Sequence, residues 1–400
     1  MAVDSTPARL EDATLGRIQE TLRGRGLSGW LLYDFHGINP ISQSILGLGS
    51  LSRRYFVWIP VEGRPVALTH RIEQQVWAEW TGERRVYLSW REMEEELAGL
   101  VRGAGRVAME YSPFDAVPYL DRVPAGVVEL VRRCGAEVVS SADLVTAFHA
   151  RWSAEGLEQH RRAARIVRDQ VFRTFAAIGE AAAAGSPLRE FEALERMRAG
   201  LRDAGLTQGP DGIVALGPNA ADPHYRPSPG RADELTAENV VLIDCWGSEP
   251  DGIAADQTWI GYLGEEIPER VREVWAAVRD AREAAVRRVR DGWEAKRAVH
   301  GAEVDDAARE LIRERGFGDY FIHRTGHSID REMHGSGPNL DNLETADGRA
   351  LIEGIGFSVE PGVYIPDVVG MRSEVNVYIS PEGPEVTTPD PQQEIHRISG

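Results

Sequence analysis

The sequence predicts a mixed α/β (α+β) protein built as two domains. Three observations carry that expectation. Over residues 1 to about 150, apolar runs rich in β-branched and aromatic residues alternate with helical periodicity, the pattern of a sheet covered by helices. From Ser153 onward long helical stretches take over, and the last hundred residues are mostly strand and loop. The chain, at 400 residues, also has enough material for two sizeable cores. The expected domains are 1–152 and 153–400.

In chain order, a helix is expected from Arg9 to Arg25, ended by Gly26. Strands are expected at Trp30–Tyr33, Tyr55–Val61, Val66–His70, Arg85–Trp90, Val107–Tyr111 and Glu137–Ser140. Helical segments near Arg71–Trp80, Glu92–Val101 and Val117–Cys134 lie between them. Gly47-Leu-Gly-Ser lacks the six-residue phosphate-loop pattern and reads as a plain loop. Residues Ala142–Ala150 form the expected hinge, and Ser153 is the expected N-cap of a helix reaching about Ala184. A second helix is expected to restart at Ser186-Pro187 and to end near Gly205. The stretch FEALERMRAGLRDAGL before GIVALG parallels DDAARELIRERGFGDYF before HRTGH, which suggests a duplicated helix–strand architecture around a cleft. Strands at 240–246 and Ala254–Tyr262, joined by a Gly/Ser/Pro/Asp turn, precede helices over 268–291 and 303–316.

Composition narrows the function classes. Hydrophobic residues make up 42% and charged residues 27%, ordinary for a globular chain. No run of about 18 apolar residues exists, so no membrane span is expected. The start MAVDSTPARLEDATLG lacks a basic segment followed by an apolar one, so no secretory leader is expected. Cys134 and Cys245 cannot build a disulfide framework, which makes the cytoplasm the expected compartment. The net charge of −18 repels phosphate backbones, so nucleic acid is not an expected partner.

Chemistry concentrates between His323 and Glu374, where His323, His327, His334, Glu360, Arg372 and Glu374 crowd together. Asp244 ends an apolar strand, and Asp256 lies on the strand that returns, so the turn can bring the two carboxylates face to face. Taken alone they could equally be strand-end aspartates in water. His323 and His327 point the same way on helix or strand, and Gly326 argues against a helix. Arg372 and Glu374 share a strand face, either as a surface pair or, given Val359, Val363, Val375 and Val377, within a buried sheet. Clustered carboxylates repel one another unless a cation joins them. Two Asp, two Glu and one His are too acidic a set for structural zinc and too poor in His for copper. They suit two divalent ions about 3.5–4 Å apart with bridging carboxylates, Mn²⁺ ahead of Co²⁺ or Zn²⁺.

The order and spacing of these residues resemble the creatinase/prolidase/aminopeptidase P group of metallopeptidase family M24 (M24B). The resemblance rests on Pro223-His224, LIDxxG over 242–247, Asp256-x-Thr258, His323-x-x-Gly326-His327 with His334 beyond, Glu360-Pro-Gly and Arg372-x-Glu374. It covers residues 156 to 390, and only loosely the N-terminal part. It implies a pita-bread catalytic domain after a creatinase-like α/β domain. It implies that Asp244 holds one ion, that His327 and Glu360 hold the other, and that Asp256 and Glu374 bridge. Glu360 would also accept the proton of the attacking water. His224 and His334 would contact substrate and stabilise the oxyanion or the leaving nitrogen, and His323 would line the proline side. Arg372 would orient Glu374 or meet a substrate carboxylate. Thr258 and Tyr364 would support the site or relay a proton, Tyr364 being equally well a packing aromatic.

The implied reaction is hydrolysis of an Xaa-Pro imide bond in a small peptide, first of all as an Xaa-Pro dipeptidase (prolidase). The alternatives are an aminopeptidase P acting on longer peptides, another hydrolase or lyase on this fold, and a module without catalysis. A homodimer is expected on base rate alone. Arg53-Arg54 could supply a cation for a dipeptide's carboxylate or be a surface pair. Three departures stand out. The interval from Asp244 to Asp256 is one residue longer than the family pattern, Trp259 follows Thr258, and Gly335 stands where Glu usually follows the His at 334.

Overall fold

A computed structural model describes residues 7–399; residues 1–6, on which part of the leader reading rests, lie outside the described residues. The chain divides into two compact units, Met1–His149 and Ala150–Gly400. Among the described residues, no helix is long and apolar enough to cross a membrane.

The first unit contains α1 (Asp12–Gly24), β1 (Gly29–Asp34), α2 (Pro40–Leu46), β2 (Tyr55–Pro60), β3 (Val66–His70) and β4 (Glu83–Tyr87). Then come α3 (Trp90–Val101), β5 (Arg106–Met109), α4 (Ala125–Arg133), β6 (Glu137–Ser140) and α5 (Ala142–Phe148). Its strands form one mixed sheet in the order β4-β3-β2-β1-β5-β6. Side chains alternate across β1: Trp30 and Leu32 enter one core, Leu31 and Tyr33 the core on the opposite face.

Several expectations are corrected here. Arg71–Trp80 is two 3-10 turns, Arg71–Glu73 and Gln75–Trp77, instead of a helix. The His70 ring accepts from Ile72 N, and Gln74 donates to Thr69 Oγ1 and His70 O, so local side-chain bonds outcompete the helix ladder. The segment Val117–Cys134 becomes helical only from Ala125, because Pro118 and Pro124 interrupt it. The strand expected to reach Trp90 stops at Tyr87, where Ser89 and Glu92 form a capping box for α3. Helix α2 was not anticipated: Asn39 caps it, Pro40 opens it, and Gly47 closes it at φ 63°.

The second unit contains α6 (Ala154–Ala183), α7 (Glu190–Asp203), β7 (Gln208–Leu216), β8 (Asn239–Ser248) and β9 (Ala255–Leu263). These are followed by α8 (Glu269–Glu294), α9 (Gly301–Glu314), β10 (Ser328–Ile329), β11 (Gly356–Val359) and β12 (Gly362–Ile365). The remainder is β13 (Val369–Arg372), β14 (Val375–Ser380), β15 (Gly383–Val386) and β16 (His396–Ile398). Ser153 does cap α6, accepting from Gly156 N. Helix α7 starts at Glu190 and not at Pro187, because residues before it pair with an extended neighbour: Leu235 N donates to Leu188 O and Glu190 N to Asp233 O. Two helices followed by antiparallel strands occur twice, giving sheets β16-β9-β8-β7 and β10-β11-β14-β15 with the hairpin β12-β13 beside them.

Candidate metal centre

Strand alternation aims the first carboxylates. Along β8, Val240 and Leu242 join the core lined by α8 and α9, whereas Val241, Ile243 and Cys245 join the core lined by α6 and α7. Asp244 therefore continues the first face, and Cys245 packs on the other, as expected. On β9 the same parity places Asp256 and Thr258 with Ile260, while Trp259 packs away from them against Phe172, centroids 5.1 Å apart. Asp244 faces Thr258 in the ladder and Asp256 faces Trp246, so the two aspartates are diagonal neighbours rather than opposite ones. The ladder runs unbroken from Asn239 to Gly247, so the extra residue between the aspartates falls in the turn outside it.

The histidine side comes from an irregular segment laid against β11. Glu360 N donates to Thr325 O at 2.7 Å and Ser358 N to His327 O at 2.8 Å. Gly326 permits this approach: a Cβ there would stand 2.0 Å from Ser358 O. Buried Asp305 on α9 accepts from Thr325 N at 2.9 Å and from its hydroxyl at 2.6 Å, fixing the segment from behind. At Gly335 an added Cβ would come 2.6 Å from Asp330 Oδ2, so a side chain there would displace the Asp330 carboxylate.

These elements bring the expected ligands together. Among the described residues, ligand atoms of Asp256, His327 and Glu374 all lie within 4.8 Å of one another. His327 Nε2 is 3.6 Å from Asp256 Oδ2 and 3.4 Å from Glu360 Oε1. The Thr258 hydroxyl lies 2.8 Å from Glu374 Oε2 and 3.3 Å from Asp244 Oδ1. Each nitrogen of Arg372 donates once: Nε to Thr258 Oγ1 at 2.8 Å, Nη1 to Tyr364 OH at 3.3 Å, and Nη2 to Asp244 Oδ2. It reaches Glu374 only through Thr258. Arg372 and Glu374 do not share one continuous strand, because β13 ends at Arg372 and β14 begins at Val375.

The flanking residues differ in exposure. His323 hydrogen-bonds Tyr364 OH through Nε2 at 2.8 Å, so buried Tyr364 is both a packed aromatic and a polar link. His334 sets its ring edge-on to that of His327, centroids 4.4 Å apart, with much of its surface open to solvent. His224 is exposed, and its backbone N–H donates to Asp222 Oδ1. Arg53 and Arg54 belong to the first unit, where Arg53 bonds Ser52 and Arg54 O accepts from Tyr87 OH.

Electrostatics explain why this cluster needs positive charge. Burial pushes Asp244 up to about 7, despite Arg372, with Asp256 and Glu360 adding repulsion. Burial pushes Asp256 up to about 8, and Glu360 adds to it. Glu374 is driven well above the carboxylate range by burial, then by Asp256 and Glu360. Burial also works against Glu360, but His327, Arg372, His323 and Arg324 outweigh it and hold its carboxyl down. Burial lowers the imidazoles of His323 and His327. Partial desolvation lowers His334 to about 4, with repulsion from His327, Arg324 and His224 added. Asp256 Oδ1 and Glu374 Oε1 are buried with no hydrogen-bond partner among the described residues. Two orphaned carboxylate oxygens beside the His327 imidazole are the donor set that a divalent cation fits.

Sequence reasoning missed three supports. Ser358 accepts from His327 N at 2.9 Å and donates to Glu360 Oε1 at 3.1 Å. Asn376 Oδ1 accepts from Asp256 N at 2.9 Å. Asp305 is the third. Ser358 and Asn376 each lie two residues from a proposed ligand, which was the available signal.

An Xaa-Pro dipeptidase of Lactobacillus delbrueckii subsp. lactis is 36% identical over 164 residues, 41% of this chain and 40% of the relative. The match thus spans about two fifths of that curated relative's length. The crystal structure of dipeptidase PepE from Mycobacterium ulcerans superposes with a TM-score of 0.72 at 21% identity, covering 98% of this chain and all of the other. X-Pro aminopeptidase from Thermotoga maritima gives 0.64 at 24% identity, covering 96% and 99%. These likenesses establish the pita-bread fold that the sequence led us to expect. The profile of metallopeptidase family M24 matches residues 158–381, more than half of the chain and all of the clustered carboxylates and histidines, so the chain belongs to metallopeptidase family M24.

Proposed function

We propose that this protein hydrolyses Xaa-Pro bonds, as an Xaa-Pro dipeptidase, using two divalent ions. One observation carries the reading: buried, partnerless oxygens of Asp256 and Glu374 converge with His327. In this reading Asp244, Asp256, His327, Glu360 and Glu374 would hold the two ions. When bound, such a pair lowers the pKa of a water and polarises the scissile carbonyl. Glu360 stays ionised and takes up a proton at Oε2, since Oε1 already accepts from Ser358. His334 is neutral at physiological pH and can donate an N–H to a developing oxyanion. In this reading His224, close enough to repel His334 electrostatically, serves the leaving ring nitrogen, which has no amide N–H of its own. His323 and Tyr364 together wall the proline side. Arg372, which donates to both, orients Asp244 and Thr258.

The activity of the Lactobacillus relative supports the dipeptidase reading, and the Thermotoga aminopeptidase supports the longer-peptide alternative. Mn²⁺ suits the oxygen-rich donor set best. A cytoplasmic homodimer completes the proposal. The test is a panel of Xaa-Pro dipeptides and Xaa-Pro-Xaa tripeptides with Mn²⁺, Co²⁺ or Zn²⁺. Dipeptides should be cleaved fastest with Mn²⁺, with activity lost to a chelator and regained on adding the ion. Asp256→Asn and Glu374→Gln should cost more than the about 10- to 100-fold typical of outer partners. A clear preference for tripeptides would replace the dipeptidase by the aminopeptidase P reading. Absence of both metal retention and hydrolysis would end both.

A further inference from the structure

Arg282 lies in the middle of α8 and is 1% exposed, although it carries a full charge. Burying a guanidinium costs several kcal/mol unless its donors are satisfied. Here Nη1 donates to Ser373 Oγ at 2.7 Å and to Gln392 O at 2.8 Å, and Nη2 pairs with Glu283. Ser373 is the single residue between Arg372 and Glu374, at the break between β13 and β14. That break has few other restraints: Ser373 N donates to Pro361 O and Glu374 N to Thr258 O, both at a long 3.3 Å. The second acceptor matters too. Gln392 clasps the backbone of β9 at Ile260, accepting from its N at 2.9 Å and donating to its O at 2.6 Å. Ile260 is two residues beyond Thr258 on the same strand. One buried guanidinium therefore ties the Arg372–Glu374 break to the strand that carries Asp256 and Thr258.

We infer that Arg282 is a positioning residue for the metal centre, holding Ser373 so that Glu374 and Arg372 meet Thr258 and Asp244. The inference rests on the reading of Glu374 as a metal ligand and adds a residue that touches neither ion nor substrate. Its signature is metal affinity, because a misaimed Glu374 binds the cation less well even when the fold survives.

The experiment titrates Co²⁺ into metal-stripped wild type, Arg282→Met and Ser373→Ala. It reads the visible absorption of bound Co²⁺ and its competition with a chelating dye, with thermal melts alongside. Both variants should bind Co²⁺ about 10- to 100-fold more weakly with an altered spectrum, and kcat should fall with KM unchanged. A lowered melting temperature with wild-type Co²⁺ affinity and spectrum would make Arg282 a packing residue only and overturn the inference. If Arg282→Met does not fold, Ser373→Ala, which removes only the accepting hydroxyl, decides alone by the same two outcomes. Wild type that binds Co²⁺ but cleaves no Xaa-Pro peptide would defeat the proposed activity and leave this test intact.

Discussion

His160 on α6 is fully buried with both ring nitrogens engaged: Nδ1 donates to Ala254 O and Nε2 accepts from the Thr387 hydroxyl, each at 2.7 Å. Trp152 packs on the ring, centroids 4.6 Å apart. This arrangement satisfies the neutral imidazole and leaves no room for charge, so burial lowers its pKa from 6.5 to about 4. Above pH 6.5 both folded and unfolded chains hold a neutral ring, and the residue adds no pH dependence. Between 6.5 and 4 the unfolded chain takes up the proton while the folded one does not, so stability falls as pH falls. The full shift corresponds to roughly 3 kcal/mol. The prediction is a melting temperature that declines from pH 6.5 toward 4 in wild type and declines less steeply in His160→Gln. Parallel curves for the two proteins would show that His160 does not titrate in this way.

At the scale of the element, the segment 323–328 does what neither a helix nor a regular strand could. It threads past β11 closely enough for two backbone bonds, from Ser358 N and Glu360 N, and Gly326 is what lets it. Gly326→Ala should force the segment away from Ser358 O and cost about 1–3 kcal/mol, as overpacking does. It should also weaken metal retention, since His327 is the next residue. Metal content after gel filtration, measured beside the melting temperature, checks both; a variant with wild-type values in both would show that the backbone can give way.

The same contrast explains what the sequence made legible. Residues 240–246 and the returning strand have apolar alternation, so the strands, and the side on which Asp244 and Asp256 lie, follow from period two alone. The diagonal offset of the aspartates does not follow, because register is set by a turn whose length was the very point of departure. The 3-10 turns at 71–77 and the late start of α7 were hidden for another reason. Gln74 and Asp233 O, which decide them, act through bonds that periodicity cannot see. Asp305 and Arg282 were hidden for a third: each sits on a helix about 20 and 91 residues from the residue it holds, and nothing local marks them.

For the molecule as a whole, the two units carry separate cores, and among the described residues the clustered carboxylates lie in Ala150–Gly400. An ion that binds the folded state alone adds stability by mass action, roughly 2.7 kcal/mol at a hundred-fold excess over Kd. That stabilisation should be felt where folding closes the cluster. The amides of Asp256, Ser358, Glu360 and Glu374 bond across the elements that hold the ligands, to Asn376, His327, Thr325 and Thr258. Hydrogen exchange with and without a chelator therefore should differ by about 100-fold at these four amides, each 1.4 kcal/mol being worth a factor of ten. The paired amides of Trp30, Leu32 and Val57 in the first unit should exchange at the same rate in both conditions. Equal protection of the four cluster amides with and without chelator would mean that no ion is bound there at the concentrations used. Slowed exchange in the first unit's strands on adding metal would mean that the ion stabilises more of the chain than its ligand-bearing half.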